Sequence, residues 1–296
     1  MGEEPYKRKR GDRRDGRRIK MPGLQTVMTT LMPNRTDCEV FLNDKIDVTE
    51  LMNYLEEKNA ADPSLKRTFF HCAVTMAARM VRERPVLNRF VQGSRIYERY
   101  EISIAFVAKR KFEDNAEETL LFFVPKDDDT LDDVSRMIVG DVTEARKSEH
   151  ATGGVDELLD KFAAMPRLLM MFLIRIIRWM DFWGVNPKFI TEGDPNYSTI
   201  FLSNLGSIKC PAVYHHLNNY GTNSIMITIG TIHEEEALMP DHTKEIRKFV
   251  DLGVTIDERI GDGFYFARSL KLLHHMCAHP ELLDKPVGEH SGFRYE

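Results

Sequence analysis

Apolar side chains recur along the chain with two periods, and each change of period marks an element boundary. Alternation over Val250, Leu252, Val254 and Ile256 predicts a half-buried strand. Phe264, Ala267, Leu270, Leu273 and Cys277 then recur at helical spacing, which predicts a helix. Between them runs Asp257-Glu258-Arg259-Ile260-Gly261-Asp262-Gly263, a charged loop whose two glycines permit tight turns. A strand-to-helix loop of this kind can hold charged groups fixed at the rim of a cleft.

The same reading applies upstream. Val40 and Leu42 predict a short strand that leads into Asp47-Val48-Thr49-Glu50, where Asp47 can cap a helix and Glu50 stands at the capping-box position. That helix runs to about Lys58. A second helix, from Leu65 to about Arg84, carries Phe69, Cys72, Ala73, Met76, Ala77, Met80 and Val81 on one side and stops before Pro85. Strands are expected over 100–107 and 119–124, on either side of the polar turn Glu113-Asp114-Asn115. Asp127-Asp128-Asp129 precede the periodic Leu131, Val134, Ile138 and Val142, so they read as acidic charge at a helix N-terminus and not as metal ligands. Met165 to Trp183 predicts an apolar helix suited to the core, a subunit contact, an apolar substrate lining or a membrane surface. Further strands are expected over 199–202 and 225–229.

Composition narrows the class. The chain has 296 residues, 42% hydrophobic and 29% charged, the balance of a soluble globular protein with a sizeable core. A formal net charge of -5 gives no overall bias toward nucleic acid or anionic membrane. The cations are unevenly spread, however. Lys7, Arg8, Lys9, Arg10, Arg13, Arg14, Arg17, Arg18 and Lys20 crowd into residues 1–20, which predicts a disordered basic arm, either a solubilising tail or a dock for RNA, phosphate or a partner. Cys38, Cys72, Cys210 and Cys277 lack metal-ligand or redox spacing and read as reduced thiols of a cytoplasmic protein. Arg175, Arg178 and Asp181 interrupt the apolar run Leu168–Trp183, each costing roughly 2.5 to 3.5 kcal/mol at a bilayer centre, so it is not expected to span a membrane.

Two further stretches join the charged loop: Ile200-Phe201-Leu202-Ser203-Asn204-Leu205-Gly206 and Arg84-Pro85-Val86-Leu87-Asn88. In order and spacing the three resemble the catalytic domain of the acyltransferase (E2) components of 2-oxo acid dehydrogenase complexes, whose fold is shared with chloramphenicol acetyltransferase. The resemblance runs from about residue 16 to about residue 284. The family signature is Asp-His-Arg-x-x-Asp-Gly, preceded by a Ser/Thr-Asn-Leu-Gly-like turn. Asp262-Gly263 match its end, Arg259 its arginine and Ser203 the hydroxyl residue, while Glu258 stands where the family has its catalytic histidine. The resemblance implies an α/β fold, a chloramphenicol acetyltransferase-like two-layer sandwich with a mixed sheet flanked by helices. It also implies a single domain over residues 21–296 and a homotrimer whose active site lies between subunits.

In that family the histidine takes a proton from the thiol of coenzyme A or dihydrolipoamide. The thiolate then attacks an acyl carbonyl, and the Ser/Thr hydroxyl stabilises the oxyanion. Transfer from a thiol of pKa ~8.5 to an unperturbed His costs about 2.7 kcal/mol, and to an unperturbed Glu about 5.7 kcal/mol. The ~3 kcal/mol difference corresponds to roughly a hundredfold in rate, which burial of the carboxyl could partly restore. Three readings of Glu258 stay open: a structural loop residue in a degenerate site, a repurposed general base, or a residue whose role has passed to His216. By resemblance Ser203 is the oxyanion donor, and Asp262 with Arg259 organises the loop. Only a short basic arm precedes the matching region in this sequence, so no lipoyl domain is expected, and the implied substrates are coenzyme A thioesters or a lipoylated protein in trans. The implied function is a stand-alone acyltransferase; the alternative is an inactive trimeric scaffold or acyl-coenzyme A binding protein.

Overall fold

The structure is a computed structural model that describes residues 8–109, 118–147, 164–191 and 193–295. Strands β1 (Gly16–Arg18), β3 (Arg89–Gln92) and β4 (Arg95–Arg99) form a small antiparallel sheet in the order β1-β4-β3. A seven-stranded mixed sheet contains β2 (Glu39–Asp47), β5 (Ile104–Lys109), β6 (Glu118–Phe123), β7 (Ile200–Asn204), β8 (Ile225–Ile229), β9 (His233–Leu238) and β10 (Lys244–Asp257). Its order is β2-β10-β8-β7-β5-β6, with β9 paired to the first half of β10. Pairing is parallel for β5 with β7 and for β7 with β8, and antiparallel elsewhere. Helices α2 (Thr49–Ala61), α3 (Phe69–Glu83) and α7 (Gly263–Ala278) cover one face. α4 (Leu131–Lys147) packs beside α3. α1 (Gly23–Leu31), α5 (Arg167–Trp183) and the short α6 (Lys188–Thr191) lie outside this layer.

Strand alternation decides what each face does. Ile200 and Leu202 of β7, Ile225, Ile227 and Ile229 of β8, and Leu252, Val254 and Ile256 of β10 join the buried cluster with α3 and α7. The intervening Phe201, Ser203, Gly253, Thr255 and Asp257 therefore face the other side. There the extended segment 211–217 crosses the sheet. A Cβ on Gly253 would collide with the Val213 carbonyl at 2.4 Å, so the crossing requires glycine. The arrangement is the mixed sheet flanked by helices that the resemblance implies.

Several expectations change. The basic N-terminus is not a disordered arm up to residue 20. Gly16–Arg18 pair with Tyr97–Arg99, and Arg13 is buried, bound to Asp15 at 2.9 Å and Asp181 at 3.2 Å and stacked near Phe90 and Tyr97. Residues 1–7 lie outside the described residues, as does the turn Glu113-Asp114-Asn115. Asp47 does serve the first turn of α2, accepting from the Thr49 amide at 2.9 Å, but Glu50 turns outward to Arg247 instead of closing a capping box. Nor is α5 core of this chain. Leu168 is 81% exposed, Phe172 and Trp179 are each 61% exposed, and Asp181 is the helix residue that is buried. Contiguous exposed apolar surface of this kind marks an interaction face. No helix among the described residues is long and apolar enough to cross a membrane.

Candidate active site

The charged loop is built from its first aspartate. Asp257 ends β10, is fully buried, and accepts the Arg259 amide at 3.2 Å, closing a single turn over Glu258–Ile260. The same carboxylate takes Arg259 Nε at 2.8 Å and Nη2 at 2.6 Å, a two-pronged pair, while Arg35 Nε stands 3.6 Å away. Arg259 Nη1 donates to the Met32 carbonyl at 2.7 Å, tying the loop to the segment before β2. Burial works against the Arg259 charge, and Asp257 more than offsets it, so its pKa lies above the ordinary value. Ile260 is fully buried.

Asp262 has a different task. It accepts from the Tyr265 amide at 2.7 Å and caps α7, and it is exposed. The resemblance groups Asp262 with Arg259 as loop organisers; here the arginine's carboxylate is Asp257, a residue the sequence reading passed over. The signal was in the sequence, as an Asp two residues before an Arg in a turn can fold back on it.

The Arg84–Asn88 stretch holds the other two motifs in place. Arg84 lies 3.5 Å over the Tyr265 ring and donates to the Tyr265 carbonyl at 3.0 Å and Ser269 Oγ at 3.2 Å. Thr199, just before β7, donates to Asn88 Oδ1 at 2.9 Å. One short turn thus braces both the helix after the loop and the strand that carries Ser203.

Glu258 is exposed and makes no hydrogen bond or ion pair among the described residues. Ser203 is half-buried and level with Thr228 of β8, which is level with Gly253 of β10. Asp257 is four residues beyond Gly253, so it stands roughly 13 Å along the strands and about 10 Å across two strand spacings from Ser203. Within one chain, Glu258 and Ser203 are therefore not brought together. His216 is nearer the loop. Its Nδ1 lies 3.1 Å from the Leu217 carbonyl, and the Leu217 amide donates to Glu39, the register partner of Asp257. The four cysteines are free. Burial pushes the Cys38 thiol up to about 11 and Cys277 up to about 12, which makes both poor nucleophiles.

Beside the loop opens a cleft of about 190 Å³, lined by Arg35, Gln92, Arg178, Asp181, Asn219 and Arg259 among others. One wall is the β3–β4 turn, where Gly93 has φ +57° and a Cβ would meet the Phe182 carbonyl at 2.3 Å. Neither this cleft nor the part of Arg35 in it was visible in the sequence, because its walls come from five separate stretches.

With this geometry in hand, comparison with solved structures places the fold. The chain is similar to a probable dihydrolipoamide acetyltransferase from Listeria monocytogenes, at 15% identity and a TM-score of 0.58, over 95% of this chain and 98% of that one. It is similar to the cubic core of the pyruvate dehydrogenase multienzyme complex, at 14% identity and a TM-score of 0.60, over 90% and 93%. It is also similar to chloramphenicol acetyltransferase, at 14% identity and a TM-score of 0.50, over 86% and 94%. No family model and no curated protein matches the sequence. The chain has the dihydrolipoamide acetyltransferase and chloramphenicol acetyltransferase fold over nearly all its length.

Proposed function

We propose that this protein is an acyltransferase that moves an acyl group between coenzyme A, or a lipoyl thiol carried by another protein, and an acceptor. It works as a homotrimer in which Glu258 of one chain meets Ser203 of the next. The observation that carries this reading is the contrast within the loop. Asp257, Arg259, Ile260 and Asp262 are all engaged in holding it, while Glu258 alone points a free carboxylate outward. The distance between Glu258 and Ser203 in one chain supports a site shared between two.

In the proposed reaction Glu258 takes the thiol proton and the thiolate attacks the acyl carbonyl. The Ser203 hydroxyl donates to the tetrahedral oxyanion, and its collapse expels the leaving thiolate, which takes the proton back from Glu258. One observation favours a second reading, with His216 as the base. If Nδ1–H donates to the Leu217 carbonyl, Nε2 keeps its lone pair for a proton.

The test is free-thiol release from a panel of acyl-coenzyme A esters by wild type, Glu258→Ala, Glu258→His and His216→Ala. Turnover by wild type that disappears in Glu258→Ala is expected. Loss in His216→Ala but not Glu258→Ala would transfer the base to His216. A silent wild type with activity gained by Glu258→His would identify a scaffold that keeps the fold without the reaction.

A further inference from the structure

Four arginines are buried around the floor of the cleft beside the loop: Arg13, Arg35, Arg99 and Arg259, none more than 6% exposed. Against them stand the buried carboxylates Asp181 and Asp257 and the Asp15 side chain, 30% exposed. The four cations feel one another. Burial pushes Arg99 down to about 9, with Arg35 and Arg13 adding to the effect. Burial also lowers Arg35, and Asp257 only partly offsets it. Positive charge taken out of water needs a negative partner; with Asp194, which interacts with Asp181 and Tyr220, four carboxylates face the four buried guanidinium groups, and Arg178 at the cleft is the cation left over.

The surplus charge borders the cleft. Arg35 Nε is buried with no hydrogen-bond partner, and the Asp257 carboxylate stands 3.6 Å from it. Arg178 reaches the cleft from α5 and forms no ion pair among the described residues. The lining carboxylate, Asp181, is already taken by Arg13, Gln92 Nε2 at 2.6 Å and Asn186 Nδ2 at 3.2 Å. The nearby acids Asp37 and Glu258 are exposed and do not line the cleft.

We infer that this cleft binds a small oxyanion, the phosphate or carboxylate group of a ligand, held by Arg35, Arg178 and Arg259. An occupant supplies the missing negative charge; Arg178 can offer its whole guanidinium fork, while Arg35 and Arg259, whose N–H groups are largely bound to backbone carbonyls and Asp257, add buried positive charge beside it. The inference does not depend on acyl transfer, and the binding experiment below reads no turnover, so either can fail without the other.

Isothermal titration calorimetry of the whole chain at low ionic strength, with pyrophosphate and with malonate, tests it. One saturable site per chain is expected for at least one of them. Pyrophosphate alone assigns a phosphate ligand, and malonate alone a carboxylate. Arg178→Gln, which breaks no internal hydrogen bond, should weaken binding roughly tenfold or more. Arg35→Gln removes a buried cation that also bonds three backbone carbonyls, so Arg178→Gln is the variant that decides if the Arg35 change unfolds the chain. Arg167→Gln, eleven residues back and roughly 16 Å along the same helix, should leave affinity unchanged. No binding of either anion, or equal loss in Arg178→Gln and Arg167→Gln, would overturn the site.

Discussion

The two aspartates of the loop should answer very differently to mutation. Asp257 is fully buried and accepts two side-chain bonds and one amide bond from Arg259, with Arg35 close by. Asp257→Asn keeps the shape and removes the charge, leaving two buried guanidinium groups without their carboxylate. Removing one partner of such a buried pair costs roughly 3 to 5 kcal/mol. Asp262 is exposed and makes one capping bond, so Asp262→Ala should cost only about 1 kcal/mol. At ~2 °C per kcal/mol for a chain of this size, the melting temperatures should fall by roughly 6 to 10 °C and about 2 °C respectively. Urea unfolding followed by circular dichroism, with calorimetry alongside, measures both. An Asp257→Asn protein within about 1 kcal/mol of wild type, or two variants that behave alike, would refute the assignment of Asp257 as the anchor of the loop.

Two further outcomes are expected. Gly93→Ala forces a Cβ against the Phe182 carbonyl at a φ of +57°, and should lower stability by roughly 1 to 3 kcal/mol in the same urea assay. His71 is buried, and burial pushes its pKa down to about 4 from 6.5. The unfolded chain then binds the proton more readily, so stability should fall as pH drops from about 6.5 to 4, by about 3 kcal/mol in all. His71→Phe should remove that slope, and urea midpoints taken across the window would show it.

What could be read from the sequence follows from how local each cause is. α3 and the second half of β10 are written in periodic apolar residues, and their burial in the structure matches those patterns; α7 is the expected helix, but it buries Phe266, Ser269, Leu272, Leu273, Met276 and Cys277 and leaves Phe264 of the expected stripe 70% exposed. The N-terminus was misread because composition alone argued for disorder. Arg13 is ordered by Asp181, 168 residues away, a partner no local window contains. The β3–β4 hairpin did leave a signal, Gly93-Ser94 between two short β-rich runs, which the strand reading passed over. Helix α5 was legible as a helix, but periodicity cannot say whether an apolar face is covered by its own chain. For the site, the motifs named the Asp257–Gly263 loop and the strand carrying Ser203, while the tertiary register was needed to show that Glu258 and Ser203 lie apart within one chain.

That separation makes the proposed site a property of two chains, and subunit complementation tests it most directly. Ser203→Ala and Glu258→Ala chains, each inactive alone, are co-expressed and assayed for thiol release from acyl-coenzyme A. With random assembly around a head-to-tail ring, about a quarter of the interfaces unite an intact Glu258 with an intact Ser203, so about a quarter of wild-type activity should return. Mixed assemblies as inactive as either parent would contradict the shared site.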